Sequence, residues 1–223
     1  MENYFRRQIE LWGLEKQKLL AEKEILIVGA GGLGSSLAFA LGSIGLRKIT
    51  IVDFDEVAIH NIHRQIAFKL EHEGKKKADI VRDTIQARSN WTEIESYTYK
   101  FETFLETIQN RKFDIVFDAT DNFETRKEID SYSKQTNTPW VYGSVEEFYG
   151  QVCLFEKSSF QSFQTAKHKP GGVATPIVMM VASFQANLGL KYLLGDEVER
   201  DILYLLSFDS SGKFQIQHFK MPI

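Results

Sequence analysis

The sequence predicts an α/β fold: a Rossmann-like, doubly wound, mostly parallel sheet with N-terminal helices, continued by antiparallel strands and a C-terminal hairpin. Three observations predict it. A short β-branched run, Glu24 to Val28, leads directly into Gly29-Ala30-Gly31-Gly32-Leu33-Gly34. A helical stretch of small and apolar residues follows, and a second apolar run, Lys48 to Asp53, completes a βαβ unit of roughly 30 residues. A third apolar run, Phe113 to Asp118, ends in the polar turn Ala119-Thr120-Asp121-Asn122.

The elements follow in chain order. Residues 4–22 carry apolar positions at helical spacing, with Ile9, Leu11, Trp12, Leu14, Leu19 and Leu20 on one side and a break near Gly13. Glu24 to Val28 reads as a buried parallel strand. Leu33 to Ile44 reads as a helix stopped by Gly45. Residues 54–75 are irregular and polar, Lys76 to Arg88 is helical, and Glu93 to Phe101 alternates like a strand. After the strand Phe113 to Asp118 comes a helix reaching about Lys134. Pro139 to Val145 and Gly150 to Phe155 read as two further strands. Residues 157–172 form a polar loop without periodicity, and a loop of that length in a compact unit is usually functional or mobile. Thr175-Pro176 opens a long apolar helix, with threonine as N-cap and proline at its first position. Leu203 to Phe208 and Lys213 to His218 form a hairpin turned at Ser210-Ser211-Gly212. There is no internal repeat and no low-complexity linker. One domain over 1–223 is expected, with 1–22 as a helical arm.

Composition excludes several classes of function. The chain has 223 residues, 43% hydrophobic and 26% charged, with a formal net charge of −3. Such a charge gives no basic excess for nucleic acid. Apolar runs are too short to span a bilayer, which takes about 20 residues. The N-terminus has no apolar stretch behind its charges and does not read as a signal peptide. A single cysteine, Cys153, permits neither an internal disulfide nor a four-cysteine zinc site. A cytosolic protein is expected, and Cys153, in a predicted strand, is expected to pack as a small hydrophobe.

The glycine turn, placed between strand and helix, fits a nucleotide. Glycines permit a tight turn and close approach of backbone to phosphate, and the helix N-terminus supplies free N–H groups. Asp53, about 20 residues on at the end of the second strand, is placed to hold a ribose. Up to this point a nicotinamide dinucleotide fits equally well. Arg64 and Lys77, on and just after the following polar loop, suit the charge of a triphosphate and of departing pyrophosphate. Asp118 and Asp121 sit where open sheets place their ligands, and two carboxylates there can hold Mg²⁺ on phosphates. Asp121-Asn122 can also cap a helix. His60 and His63 have no third ligand nearby and are read as loop residues. His168 is read as solvent-exposed.

Together these residues resemble the ThiF/MoeB/HesA adenylyltransferases, relatives of the ubiquitin-activating enzymes. The resemblance runs from about Tyr4 to Gly195. It is carried by Arg7-Gln8-Ile9 with Leu11-Trp12-Gly13, the glycine turn, Asp53-Phe54-Asp55, Asn61-x-x-Arg64-Gln65, Lys77, Asp118-x-Thr120-Asp121-Asn122 and Gly150-Gln151-Val152. It implies ATP-dependent adenylation of the C-terminal glycine carboxylate of a small ubiquitin-like sulfur carrier ending in Gly-Gly, with loss of pyrophosphate. By the same resemblance Gly29, Gly31, Gly32, Gly34, Asp53, Asp55, Asn61, Arg64, Lys77, Asp121 and Asn122 bind the nucleotide. Asp121 holds Mg²⁺ nearest the chemistry, and Arg7 enters a partner's site in a homodimer. Many relatives carry two Cys-x-x-Cys pairs for zinc, and some carry a loop cysteine. This chain has neither, since the loop reads Ala166-Lys167-His168-Lys169-Pro170-Gly171-Gly172-Val173. No zinc, and adenylation without a covalent enzyme intermediate, are therefore expected. The segment Gly143 to Gln151 resembles the thiamin-pathway members. Alternatives are activation of a non-protein carboxylate, as in the dehydratase that cyclises threonylcarbamoyl-adenosine in tRNA, a NAD-dependent oxidoreductase, and a non-catalytic partner-binding relative.

Overall fold

The computed structural model describes residues 2–109, 111–163 and 171–223. Its centre is an eight-stranded sheet in the order β3-β2-β1-β4-β5-β6-β7-β8. The strands are β1 (Glu24–Val28), β2 (Lys48–Val52), β3 (Glu93–Tyr97), β4 (Ile115–Asp118), β5 (Trp140–Glu146), β6 (Tyr149–Phe155), β7 (Ile202–Phe208) and β8 (Phe214–Lys220). The first five pair in parallel and β5 through β8 pair antiparallel, as predicted.

Strand alternation divides the core in two. Ile25, Ile27, Ile49, Ile51, Ile115 and Phe117 point to one face, beneath α3 (Gly32–Leu41), α4 (Lys77–Gln86) and α7 (Thr175–Leu193). Leu26, Val28, Val52 and Val116 point to the other, beneath α5 (Phe101–Thr107) and α6 (Phe123–Thr136). An aromatic cluster of Trp140, Tyr142, Phe155 and Phe160 extends that second core, with Trp140 stacked on Phe155 at 4.7 Å. Cys153 is buried among them, and burial raises its thiol well above the ordinary range.

Several expectations are corrected. The third strand stops at Tyr97, not Phe101. Phe101 instead begins α5, because Phe101 and Phe104 share a helical face, and Phe104 meets Tyr97 at 5.0 Å. The N-terminal arm does break at Gly13, where φ is +85°, into α1 (Arg6–Trp12) and α2 (Leu14–Leu20). Leu11, however, is exposed, since its helical phase lies off the face shared by Ile9 and Trp12. Thr175 is not the N-cap of α7. Ala174 takes that position, and the Thr175 hydroxyl donates to the His63 carbonyl at 2.9 Å. The loop predicted at 157–172 starts firmly anchored. Asp201 accepts from the N–H groups of Glu156, Lys157 and Ser158, and Asp130 accepts from Phe160 N–H and the Ser159 hydroxyl. Phe160 is consequently buried. Residues 164–170, His168 included, lie outside the described residues.

Candidate functional site

In this strand order β1 is flanked by β2 on one side and β4 on the other, so the chain reverses its direction of sheet growth there. Ligand crevices of open α/β sheets lie at such points, beyond the carboxyl ends of the strands. The glycine turn and the segment Asp118 to Asn122, remote in sequence, meet there. Val28 is in register with Asp118, and Ala119 N–H donates to the Val28 carbonyl at 2.8 Å.

Contact demands two of the glycines. Gly29 has φ +96°, and a Cβ on it would stand 2.6 Å from the Ala119 carbonyl oxygen. A Cβ on Gly34 would stand 1.9 Å from the Gly29 carbonyl oxygen, so only glycine brings α3 this close to β1. The first intrahelical bond in this turn runs from Ser35 N–H to the Gly31 carbonyl at 2.9 Å. The N–H groups of Gly32, Leu33 and Gly34 are thereby left facing outward at the positive end of the helix dipole.

Asp53 shapes this turn as well as bordering it. Its Oδ2 accepts from Ala30 N–H at 2.6 Å and its Oδ1 from Asp55 N–H at 2.8 Å. Burial pushes its carboxyl up, and those two N–H groups with Lys77 pull it back. Lys77, the first residue of α4, is only 6% exposed, and its Nζ donates to Asp55 Oδ2 at 2.8 Å. Arg64 lies over the turn, with its carbonyl 3.3 Å from where a Cβ on Gly32 would be. Its Nη1 donates to the His60 carbonyl at 3.2 Å and meets His63 Nε2 at 2.9 Å. Asn61 is buried, and its carbonyl accepts from Arg64 and Gln65 N–H.

On the β4 side, Asp118 is no metal ligand. It is 0% exposed, and its Oδ1 accepts from the N–H and hydroxyl of Thr120 at 2.9 and 2.6 Å. Its Oδ2 accepts from Arg126 Nε at 3.1 Å. Burial pushes this carboxyl up, and the Arg126 guanidinium counteracts it. The chain needs the pair to hold the turn that follows. Arg126 Nη2 also donates to the Thr120 carbonyl at 2.6 Å and the Gly143 carbonyl at 3.2 Å. Asp121 is exposed and has no hydrogen bond or ion pair with a described residue. Asn122 caps α6, its Oδ1 accepting from Thr125 N–H at 2.9 Å.

Arg7 is not brought to this crevice by its own chain. It pairs with Glu10 at 2.9 Å on exposed α1. Phe5, two residues before it, packs on Gly45, beyond the far end of α3. Sequence reasoning missed Arg126 and Gln185, whose Nε2 donates to the Asp118 and Val141 carbonyls at 2.8 and 3.2 Å. The available signal for Arg126 was an arginine one turn past the Asn122 cap, on the face that α6 turns to the sheet. Among the described residues no group of three or more His, Cys, Asp or Glu could hold a metal, and no helix is long and apolar enough to cross a membrane.

Comparison with known proteins adds to this geometry. A family profile described as the ThiF family matches residues 5–222. The chain is 33% identical over 198 residues to adenylyltransferase and sulfurtransferase MOCS3 of Dictyostelium discoideum, covering 83% of this chain and 46% of the relative. It is 30% identical over 214 residues to the sulfur carrier protein adenylyltransferase of Thermus thermophilus, covering 87% and 78%. The chain spans about half the length, or less, of the MOCS3 relatives it matches. Among solved structures, Escherichia coli MccB with ATP superposes with a TM-score of 0.87 at 16% identity, over 99% of this chain and 71% of that one. PaaA superposes with a TM-score of 0.83 at 19% identity, over 99% and 73%. At these identities the structural likeness speaks for the fold alone.

Proposed function

This chain belongs to the ThiF family, and on that premise we propose that it is an ATP-dependent adenylyltransferase acting on the C-terminal glycine carboxylate of a ubiquitin-like sulfur carrier. One observation carries the proposal. The β1–β4 register brings Ala119 against Gly29 and Gly34 of the glycine turn, and Asp121, two residues on, is exposed and has no hydrogen bond or ion pair with a described residue. The names of the adenylyltransferase relatives support it.

In the proposed reaction a carboxylate oxygen of the carrier attacks the α-phosphorus of ATP. The new O–P bond gives the acyl-adenylate, and the bond to the β-phosphate breaks to release pyrophosphate. Proton transfer has little part, so catalysis is positioning and charge stabilisation. Asp53 holds the ribose with the lone pairs left over from Ala30 and Asp55. The glycine turn takes the phosphates, with Asn61, Arg64 and Lys77 along the β- and γ-phosphates. Asp121 fits Mg²⁺, which commonly binds through one or two carboxylates plus substrate phosphates. The ion would neutralise phosphate charge there. Asn122 positions Asp121 by capping α6. Arg7 reaches the site only from a second subunit, and a homodimer is part of the proposal.

The test is exchange of labelled pyrophosphate into ATP, with Mg²⁺ and either a thiamin-type or a molybdopterin-type carrier. Carrier-dependent exchange is expected, and its absence with both sinks the proposal. Gel shift with tRNA and calorimetry with NAD check the dehydratase and oxidoreductase alternatives.

A further inference from the structure

Gln65 has no role in the proposed reaction. The turn at 61–65 fixes its backbone: its N–H donates to the Asn61 carbonyl at 3.1 Å, and its carbonyl accepts from Phe68 N–H at 3.1 Å. That turn lays the side-chain carboxamide against the glycine turn. A Cβ on Gly31 would stand 3.4 Å from Gln65 Nε2, with only Gln65 atoms within 4 Å of it.

Gln65 is 5% exposed, yet its carboxamide bonds to none of the described residues. Oε1 is enclosed and has no donor. Nε2, the side-chain atom nearest Gly31, donates to no described residue. An unpaired buried carboxamide is unfavourable, and an apolar side chain of the same length would fill the space without that penalty. A glutamine here does nothing for the free chain that methionine would not do better.

The surroundings identify the missing acceptor. Gly32, Leu33 and Gly34 offer N–H groups, and Arg64 offers a guanidinium. A cradle of donors suits an oxyanion, which only accepts. We propose that Gln65 is a nucleotide-binding residue whose Nε2–H donates to a non-bridging oxygen of the ATP phosphate chain seated on Gly31 to Gly34. This rests on the nucleotide reading given above.

The test compares Gln65→Met and Gln65→Glu with the wild-type chain by calorimetry, using Mg²⁺-ATP and adenosine as probes, alongside thermal melting. Gln65→Met is expected to melt no lower than wild type and to bind ATP about tenfold more weakly, the scale of one hydrogen bond to a charged group. Adenosine affinity should stay unchanged. Gln65→Glu should weaken ATP further by like charge. Undiminished ATP binding by folded Gln65→Met overturns the inference, and so does an equal loss for adenosine. If Gln65→Met does not fold, Gln65→Glu decides, and wild-type ATP affinity there is fatal. A wild-type chain that binds no ATP at all removes the nucleotide reading itself, a result distinct from unchanged variants.

Discussion

Replacing Arg126 by methionine tests the core of the site. The change keeps most of the side-chain volume and removes three donor contacts, to Asp118, Thr120 and Gly143. Asp118 is left as a carboxylate in a fully buried position. Breaking a buried pair from one side costs about 3–5 kcal/mol, a large part of a total stability of about 5–15 kcal/mol. For a chain of this size that is about 6–20 °C in Tm. The loss also depends on pH with a definite sign. Burial already raises the Asp118 carboxyl, and without the guanidinium it rises further. A folded-state value above the unfolded one favours the fold at low pH, and that advantage disappears as pH climbs through the folded value. The deficit of Arg126→Met is therefore smaller near pH 5 than near pH 8, on the order of 1 kcal/mol per unit of further shift. Urea unfolding at both pH values measures it. Asp118→Asn alone should also destabilise, by leaving Arg126 short of its counter-charge. The double variant Asp118→Asn with Arg126→Met should lose less than the sum, by about 1–3 kcal/mol. Strict additivity, a cost below about 1 kcal/mol, or a deficit that grows on acidification would refute the reasoning.

Three further outcomes are expected. Gly34→Ala should destabilise by at least about 1–3 kcal/mol in chemical unfolding, because its Cβ would lie 1.9 Å from a backbone oxygen that cannot move independently. Glu95 is pushed up by burial, but Lys48 and Arg111 more than offset this and hold its carboxyl below the usual range. Its stabilisation is thus present at neutral pH and lost as pH falls, so Glu95→Gln should flatten the acid side of a stability–pH curve, and an unchanged curve would count against it. Cys153→Ala should retain pyrophosphate exchange with only a modest fall in Tm, and abolished exchange in a folded variant would mean that the thiol takes part in chemistry.

The fold was legible because its signals are local. Glu24 to Val28, Lys48 to Val52 and Ile115 to Asp118 are short apolar runs bounded by polar residues, glycine or alanine. The miss at Phe101 has the same origin in reverse. A stretch that alternates for five residues and then places phenylalanines three apart satisfies both periods, and only the core beneath α6 decides between them. Candidate site residues were legible where polar side chains stand at fixed spacing around the glycine turn, as at Arg64, Lys77 and Asp121. They were illegible where function depends on a partner supplied by sheet register. Asp118 looked equivalent to Asp121 in sequence. The structure separates them, because β4 ends inside the sheet and Arg126 from the following helix covers the carboxylate.

The same distinction bears on Asp55 and Lys77, which the sequence groups as nucleotide contacts. Lys77 is almost fully enclosed, whereas the Asp55 side chain is about half exposed. An ammonium in that position needs an anion beside it at all times, since burial without one is costly. Asp55 supplies that anion in the free chain. On the proposed reading, the phosphates of ATP offer Lys77 a denser negative charge from the crevice side, and Asp55 can turn to solvent at small cost because it already lies at the surface. On that reading Asp55 holds Lys77 aimed before ATP arrives. Its carboxylate would also repel the incoming triphosphate until that exchange is made. Asp55→Asn separates the two effects: a faster ATP on-rate follows if repulsion dominates, and a loss of ATP affinity follows if the aim of Lys77 matters more. The 2.8 Å contact and the burial of the lysine favour the second.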